Sequence, residues 1–144
     1  MSAADAFFDT SVLLYLISSD GAKADRVEEL LSRSGVLNTQ VLNEFAAVAL
    51  RKRVLSLPEI REVLADLRTL CVAQPQTLAV HDRGLEIAAR YSFALYDSMI
   101  VAAALEAGCR KLYSEDLQHE QVVEQRLTVI NPFRKPGAAI RRRG

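Results

Sequence analysis

Ala6-Phe7-Phe8-Asp9-Thr10-Ser11-Val12-Leu13-Leu14-Tyr15-Leu16-Ile17-Ser18 is the stretch on which the fold turns. A short apolar run stops at an acid, and a leucine-rich segment follows at once; this reads as a strand, then a helix from Ser11 to Ser18. Asp20 and Gly21 interrupt the pattern, with Asp20 as a helix cap, and Lys23 to Arg33 resumes it with Val27, Leu30 and Leu31 at helical spacing. Val36-Leu37 leaves room for a brief strand. Thr39 is the expected N-cap of a helix from Gln40 to about Arg53, whose apolar stripe includes Val41, Phe45 and Val48. Pro58 suits the first turn of a helix reaching Leu70.

Cys71-Val72 and Thr77-Leu78 read as extended segments around Pro75, followed by a helix opening near Ala79. Tyr96 to Ala107 reads as an alanine-rich helix that Gly108 closes in the left-handed conformation. Lys111 to Ser114 and Leu127 to Ile130 complete the set as strands, the second stopped by Asn131-Pro132. Short strands alternating with helices predict an α/β domain with a largely parallel sheet covered on both faces.

The chain has 144 residues, the size of one domain with a real core. Half the residues are hydrophobic and a quarter charged, which excludes a disordered chain. Cys71 and Cys109 lack the spacing of a zinc, haem or disulfide framework, so both are expected reduced and buried. No basic segment opens the chain and no apolar run reaches membrane-spanning length, so a cytoplasmic location without a membrane partner is expected. Net charge is zero, but five of the 18 basic residues fall in the last eleven positions. The body to Phe133 therefore carries 13 basic against 18 acidic groups, a poor general attractant for a polyanion. Any argument for nucleic acid must come from a site.

In an open parallel sheet, ligands gather beyond the carboxyl ends of the strands. Asp9 ends the first strand, Glu44 lies in the first turns of the helix after Thr39, Asp97 starts the alanine-rich helix, and Asp116 follows the strand ending at Ser114. Sequence-distant carboxylates thus have the means to share one mouth. Acids that close would raise each other's pKa and call for compensating cations. A donor set of carboxylates without histidine or cysteine suits Mg2+, and Mn2+ nearly as well. Each acid also has a structural alternative: Asp97 as a helix cap, Glu44 as a solvated flank, Asp116 as a turn residue. Arg51, Lys52 and Arg53 end a helix, where cations suit the dipole, with phosphate contact as the second reading. His81 and His119 are expected at the surface or in turns.

The words Phe7-Phe8-Asp9-Thr10-Ser11-Val12-Leu13, Tyr96-Asp97-Ser98-Met99-Ile100-Val101-Ala102-Ala103-Ala104 and Leu112-Tyr113-Ser114-Glu115-Asp116-Leu117-Gln118 together resemble PIN-domain ribonucleases of the VapC toxin type, as does the ending Ile130-Asn131-Pro132-Phe133. The resemblance runs in the right order to Phe133. It implies a three-layer α/β/α sandwich with a central mostly parallel sheet over residues 1–133; residues 134–144, basic and without apolar periodicity, read by themselves as a flexible tail. The resemblance also implies an acidic quartet of Asp9, Glu44, Asp97 and Asp116, with Asp9, Asp97 and Asp116 as metal ligands and Ser114 as the hydroxyl that orients the first acid. A homodimer, an antitoxin whose tail fills the active-site groove and an RNA substrate follow from the same resemblance. Glu120 departs from it, standing where many relatives carry glycine.

The expected chemistry is metal-assisted hydrolysis of an RNA phosphodiester, with cations activating water and stabilising the attacking and leaving oxygens. A haloacid dehalogenase-type phosphatase needs a second aspartate two residues after the first, where Ser11 stands. A dinucleotide-binding module needs a glycine-rich turn after Phe8, which is absent. A PIN-like binding module without catalysis is the remaining rival.

Overall fold

A computed structural model describes residues 5–134. Six strands, β1 (Ala6–Phe8), β2 (Val36–Asn38), β3 (Val72–Gln74), β4 (Lys111–Tyr113), β5 (Val122–Val123) and β6 (Leu127–Ile130), form one sheet in the order β3-β2-β1-β4-β6-β5. All pairings are parallel except β5 with β6 at one edge. Successive strand residues point to opposite faces, yet Phe7 and Phe8, Val36 and Leu37 are all 0% exposed. Both faces are therefore covered, and the fold is the expected three-layer α/β/α sandwich.

The helices are α1 (Thr10–Leu13), continued by a 3-10 turn over Leu14–Ile17, then α2 (Gly21–Leu31), α3 (Thr39–Arg51), α4 (Leu57–Leu70), α5 (Leu78–Tyr91) and α6 (Leu95–Glu106). Asp20 caps α2 by accepting from the Lys23 N–H, as expected. Pro58 stands in the first turn of α4, behind a capping box of Ser56 and Glu59. Gly108 has φ +77°, the left-handed value that glycine adopts without penalty. From Ser98 to Leu105 every residue of α6 is buried, the mark of a helix enclosed on all sides. Gly84 on α5 makes this close packing possible, since a Cβ there would fall 2.4 Å from the Met99 sulfur.

Three local expectations are corrected. The N-cap of α3 is Asn38, not Thr39: its side chain accepts from the Val41 N–H, while the Thr39 hydroxyl donates to the Gln74 carbonyl. A cap needs extended backbone, and β2 continues through Asn38, which places Thr39 inside the helix. Of Thr77 and Leu78 only Thr77 is extended in backbone, and it caps α5 through the Val80 N–H, while Leu78 is the first residue of that helix. Strand β5 was not foreseen, because its turn to β6 lacks the usual glycine or asparagine. Glu124 and Gln125 occupy it with φ of 54° and 58°, and the Arg126 N–H closes it onto the Val123 carbonyl.

Both cysteines are buried, and burial pushes the thiols up, Cys71 to about 11 and Cys109 to about 12. Among the described residues no helix is long and apolar enough to cross a membrane. The expected flexible tail lies, from residue 135, outside the described residues.

Candidate active site

The chain runs β1, β2, β3 in one direction and then returns to place β4 on the other side of β1. Neighbouring β1 and β4 thus form the switch point of the sheet, where connections leave in opposite directions and open a crevice. Asp9 is the first residue past β1 and Ser114 the first past β4. Asp9 is also the N-cap residue of α1 in backbone conformation, but its side chain makes no cap bond. It is 5% exposed. Its Oδ2 accepts the Ser114 hydroxyl at 2.8 Å and the Ser11 hydroxyl at 2.9 Å. Both hydroxyls in turn accept backbone N–H groups of the β4 loop, Ser11 from Glu115 at 3.1 Å and Ser114 from Asp116 at 3.0 Å. Two short relays therefore clip the loop carrying Asp116 to Asp9, with Oδ2 engaged.

Glu44 lies on α3, and its Oε1 accepts the Thr10 hydroxyl at 2.9 Å across 34 residues of sequence. Asp97 is the third residue of α6, whose N-cap is Ala94; it is therefore not the cap residue but stands in the first turn, where the helix dipole favours an acid. Asp116 sits in the bend after β4. All four acids line one cavity of about 440 Å³, together with Thr10, Ser11, Arg51 and Tyr96. The convergence read from strand and helix ends is present in the fold.

The electrostatics follow from this crowding. Burial raises the Asp9 carboxyl to about 6; the two serine bonds work against that, while Asp116 and Asp97 add to it. Asp97 is raised by burial, then by Asp116 and Glu44, and Asp116 by burial, then by Glu115. Among the described residues none of the four is ion-paired. The wall offers carboxylate oxygens and neither histidine nor cysteine, which fits a hard divalent cation. Among the described residues the acids do not close into a preformed group of three donors. A cation here would draw its protein oxygens from Asp9, Asp97 and Asp116, with water or a phosphate completing its shell, the habit of magnesium.

Several neighbours were not foreseen. Tyr15 donates to Glu115 Oε1 at 2.6 Å, and Lys23 bonds both Glu115 Oε2 at 3.1 Å and the Tyr15 hydroxyl at 3.2 Å. This cluster ties the β4 loop to the 3-10 turn and α2. Nothing local announces it, since its members lie up to 100 residues apart. Arg51, placed at a helix end by its sequence, also lines the cavity. His81 is exposed on α5, while His119 accepts the Asn131 N–H at 2.9 Å and serves the loop. Glu120 has φ 70°, the left-handed value that glycine would take there freely.

No curated protein matches the sequence closely enough to count as a relative. Solved structures do match in fold. VapC20 of Mycobacterium tuberculosis, a sarcin-ricin loop cleaving toxin, aligns with TM-score 0.64 at 19% identity, covering 84% of this chain and 98% of its own. A toxin-antitoxin complex from Klebsiella pneumoniae aligns with TM-score 0.69 at 16% identity, covering 90% and 99% respectively. A protein of Pyrobaculum aerophilum aligns with TM-score 0.58 at 15% identity, covering 79% and 76%. The PIN domain family matches over residues 6–125, a span that contains the switch point and all four acids, and this chain belongs to that family.

Proposed function

We propose that the chain is an endoribonuclease that hydrolyses RNA phosphodiester bonds with the help of Mg2+ or Mn2+, and that it is the toxin of a VapC-type toxin-antitoxin pair. The observation that carries the reading is the convergence of four carboxylates from four separate elements on one cavity, none of them ion-paired among the described residues. A fold gains nothing from such repulsion, and a bound divalent cation relieves it.

In this reading residues 1–133 are the nuclease domain and Asp9, Glu44, Asp97 and Asp116 the catalytic set. Asp9, Asp97 and Asp116 would hold the metal, which when bound supplies positive charge to the phosphate oxygens and acidifies water. Ser11 and Ser114 fix Asp9 through Oδ2 and so leave Oδ1 to face a ligand. Thr10 holds Glu44 at the rim by its Oε1. Water adds to phosphorus, the bond from phosphorus to the 3′ oxygen breaks, and that oxygen takes a proton, leaving a 3′ hydroxyl and a 5′ phosphate.

The resemblance of fold to VapC20 and to the Klebsiella pneumoniae toxin-antitoxin complex supports the toxin assignment and an antitoxin partner. An antitoxin tail seated in the groove and a homodimer are carried over from the resemblance of the sequence words to VapC-type PIN ribonucleases, and a cytoplasmic location from the sequence reading. The test is cleavage of RNA by wild type, Asp9→Asn and Asp97→Asn in Mg2+, in Mn2+ and in chelator. Cleavage that needs metal and both acids, with 5′ phosphate products, is expected. A 2′,3′ cyclic phosphate product, or equal cleavage by all three proteins, overturns the mechanism. RNA binding without cleavage in every metal would make the chain a binding module.

A further inference from the structure

Arg51 and Tyr96 line the acidic cavity, and the nuclease reading does not use either. The wall that α3 contributes is one helical stripe, Glu44, Ala47, Val48 and Arg51, at positions i, i+3, i+4 and i+7. Arg51 is its last residue, so its backbone lies about 10 Å along the helix from Glu44. It is exposed and, among the described residues, its guanidinium has neither a hydrogen bond nor an ion pair, although four carboxylates line the same cavity. Tyr96 is 66% exposed, and among the described residues its hydroxyl has no hydrogen bond. Its backbone, by contrast, is held. Buried Asn38 donates to Gln76 at 2.7 Å, Gln76 to Gln40 at 3.2 Å, and Gln40 to the Tyr96 carbonyl at 3.4 Å.

An exposed aromatic ring on a pinned backbone and an unpaired guanidinium share one rim. Folding satisfies neither, and one ligand satisfies both. A nucleotide offers a flat base for the ring and a phosphate for the fork of the guanidinium. Arg51 stands about 10 Å along α3 from Glu44 and, among the described residues, pairs with no carboxylate, which suits a phosphate next to the one being cleaved. We propose that Arg51 and Tyr96 form a nucleotide subsite of the cavity, in which Tyr96 stacks an unpaired base of the RNA and Arg51 binds a phosphate neighbouring the scissile one. The subsite rests on the nuclease reading for its substrate. It explains how a body with more acids than bases retains a polyanion: one cation and one stacking face act where four negative charges repel.

The experiment measures binding of a fluorescein-labelled single-stranded RNA to Asp9→Asn protein, alone and combined with Arg51→Ala, Arg51→Lys, Tyr96→Ala or Tyr96→Phe, across a salt series. Arg51→Ala is expected to weaken binding about tenfold and to lower the slope of log affinity on log salt by about one. Tyr96→Ala is expected to weaken binding about tenfold or more with the slope unchanged, the effect of one lost base stack, and Tyr96→Phe to bind as Tyr96 does. In proteins with Asp9 intact, Arg51→Ala and Tyr96→Ala should raise KM and keep kcat. Wild-type cleavage with both alanine variants binding and cleaving as wild type overturns the subsite and leaves the nuclease reading standing. Absence of wild-type cleavage in every metal overturns the nuclease reading, while binding by Asp9→Asn protein that still needs Tyr96 and Arg51 supports the subsite independently.

Discussion

Glu124 and Asp9 each accept two side-chain hydrogen bonds at a single carboxylate oxygen, yet their titrations move in opposite directions. Glu124 Oε2 takes the Arg90 guanidinium at 2.6 Å and the Tyr91 hydroxyl at 2.8 Å, and these bonds lower its pKa. Asp9 Oδ2 takes two serine hydroxyls at nearly the same distances, and its pKa rises to about 6. The donors differ in charge, and the surroundings differ in water. Glu124 has a cation and partial access to solvent; Asp9 has neutral donors, deep burial and two further carboxylates. Hydrogen bonds of equal length thus do not decide how a carboxylate titrates. Acids that serve structure are paired, as Glu106 is with Arg83 at 2.7 Å and Glu115 with Lys23 at 3.1 Å, while among the described residues the four cavity acids are not.

The largest effect should come from removing the unpaired charges. Asp9→Asn and Asp97→Asn are expected to reduce RNA cleavage about a hundredfold or more, the scale of losing a group that stabilises charge in the transition state. Glu124→Gln should leave the rate unchanged. Equal losses at all three positions would erase the distinction between paired and unpaired acids.

Stability against pH comes next. The folded state of Asp9 holds its proton more tightly than the unfolded chain, where the pKa is 3.8. Stability is therefore lost as pH rises from about 4 to about 6, by about 3 kcal/mol for a shift of this size. Glu124 has the reverse sign: its contribution is present above 4.5 and is lost as pH falls through its lowered pKa. Urea unfolding in chelator across this range should show a falling limb for wild type that flattens in Asp9→Asn. An unchanged limb would remove burial as the cause.

Divalent cation should then offset the repulsion. Millimolar Mg2+ or Mn2+ is expected to raise Tm in wild type by mass action, less so in Asp97→Asn, and a chelator should reverse it. No change in wild type would break the site proposal.

The smallest effect concerns Glu120, an exposed acid outside the cavity held at φ 70°. Glu120→Gly should add up to about 1 kcal/mol by relieving the left-handed backbone, with cleavage unchanged. A loss of stability there would assign the side chain a role that its long contact with the His119 ring, at 3.9 Å, does not suggest.

How much could be read beforehand follows range along the chain. Strands β1, β2, β4 and β6, the Asp20 cap, Pro58 in its first turn and Gly108 at its cap depend on periodicity and on residues a few positions apart. The misplacement of the α3 cap by one residue shows the limit of that reasoning, because Asn38 and Thr39 are both good caps and pairing of β2 with β3 chose between them. Strand β5 was missed for a related reason: Tyr91 holds its unusual turn through the Glu124 N–H and carboxylate.

For the candidate site, the strand and helix ends pointed to Asp9, Glu44, Asp97 and Asp116, and the resemblance added the role of Ser114. The partners of these acids were not legible. Thr10 meeting Glu44, Lys23 and Tyr15 holding Glu115, and Arg51 and Tyr96 sharing the cavity rim all join residues whose separation carries no periodic signal.

Taken alone, the order of residues determined which segments become strands and helices and where acids stand at their ends, because hydrophobic period and capping act over one or two turns. Tertiary structure decided which acids remain unpaired and how each titrates, because charge and desolvation act through space, between groups that the chain brings together only after the sheet reverses at β1.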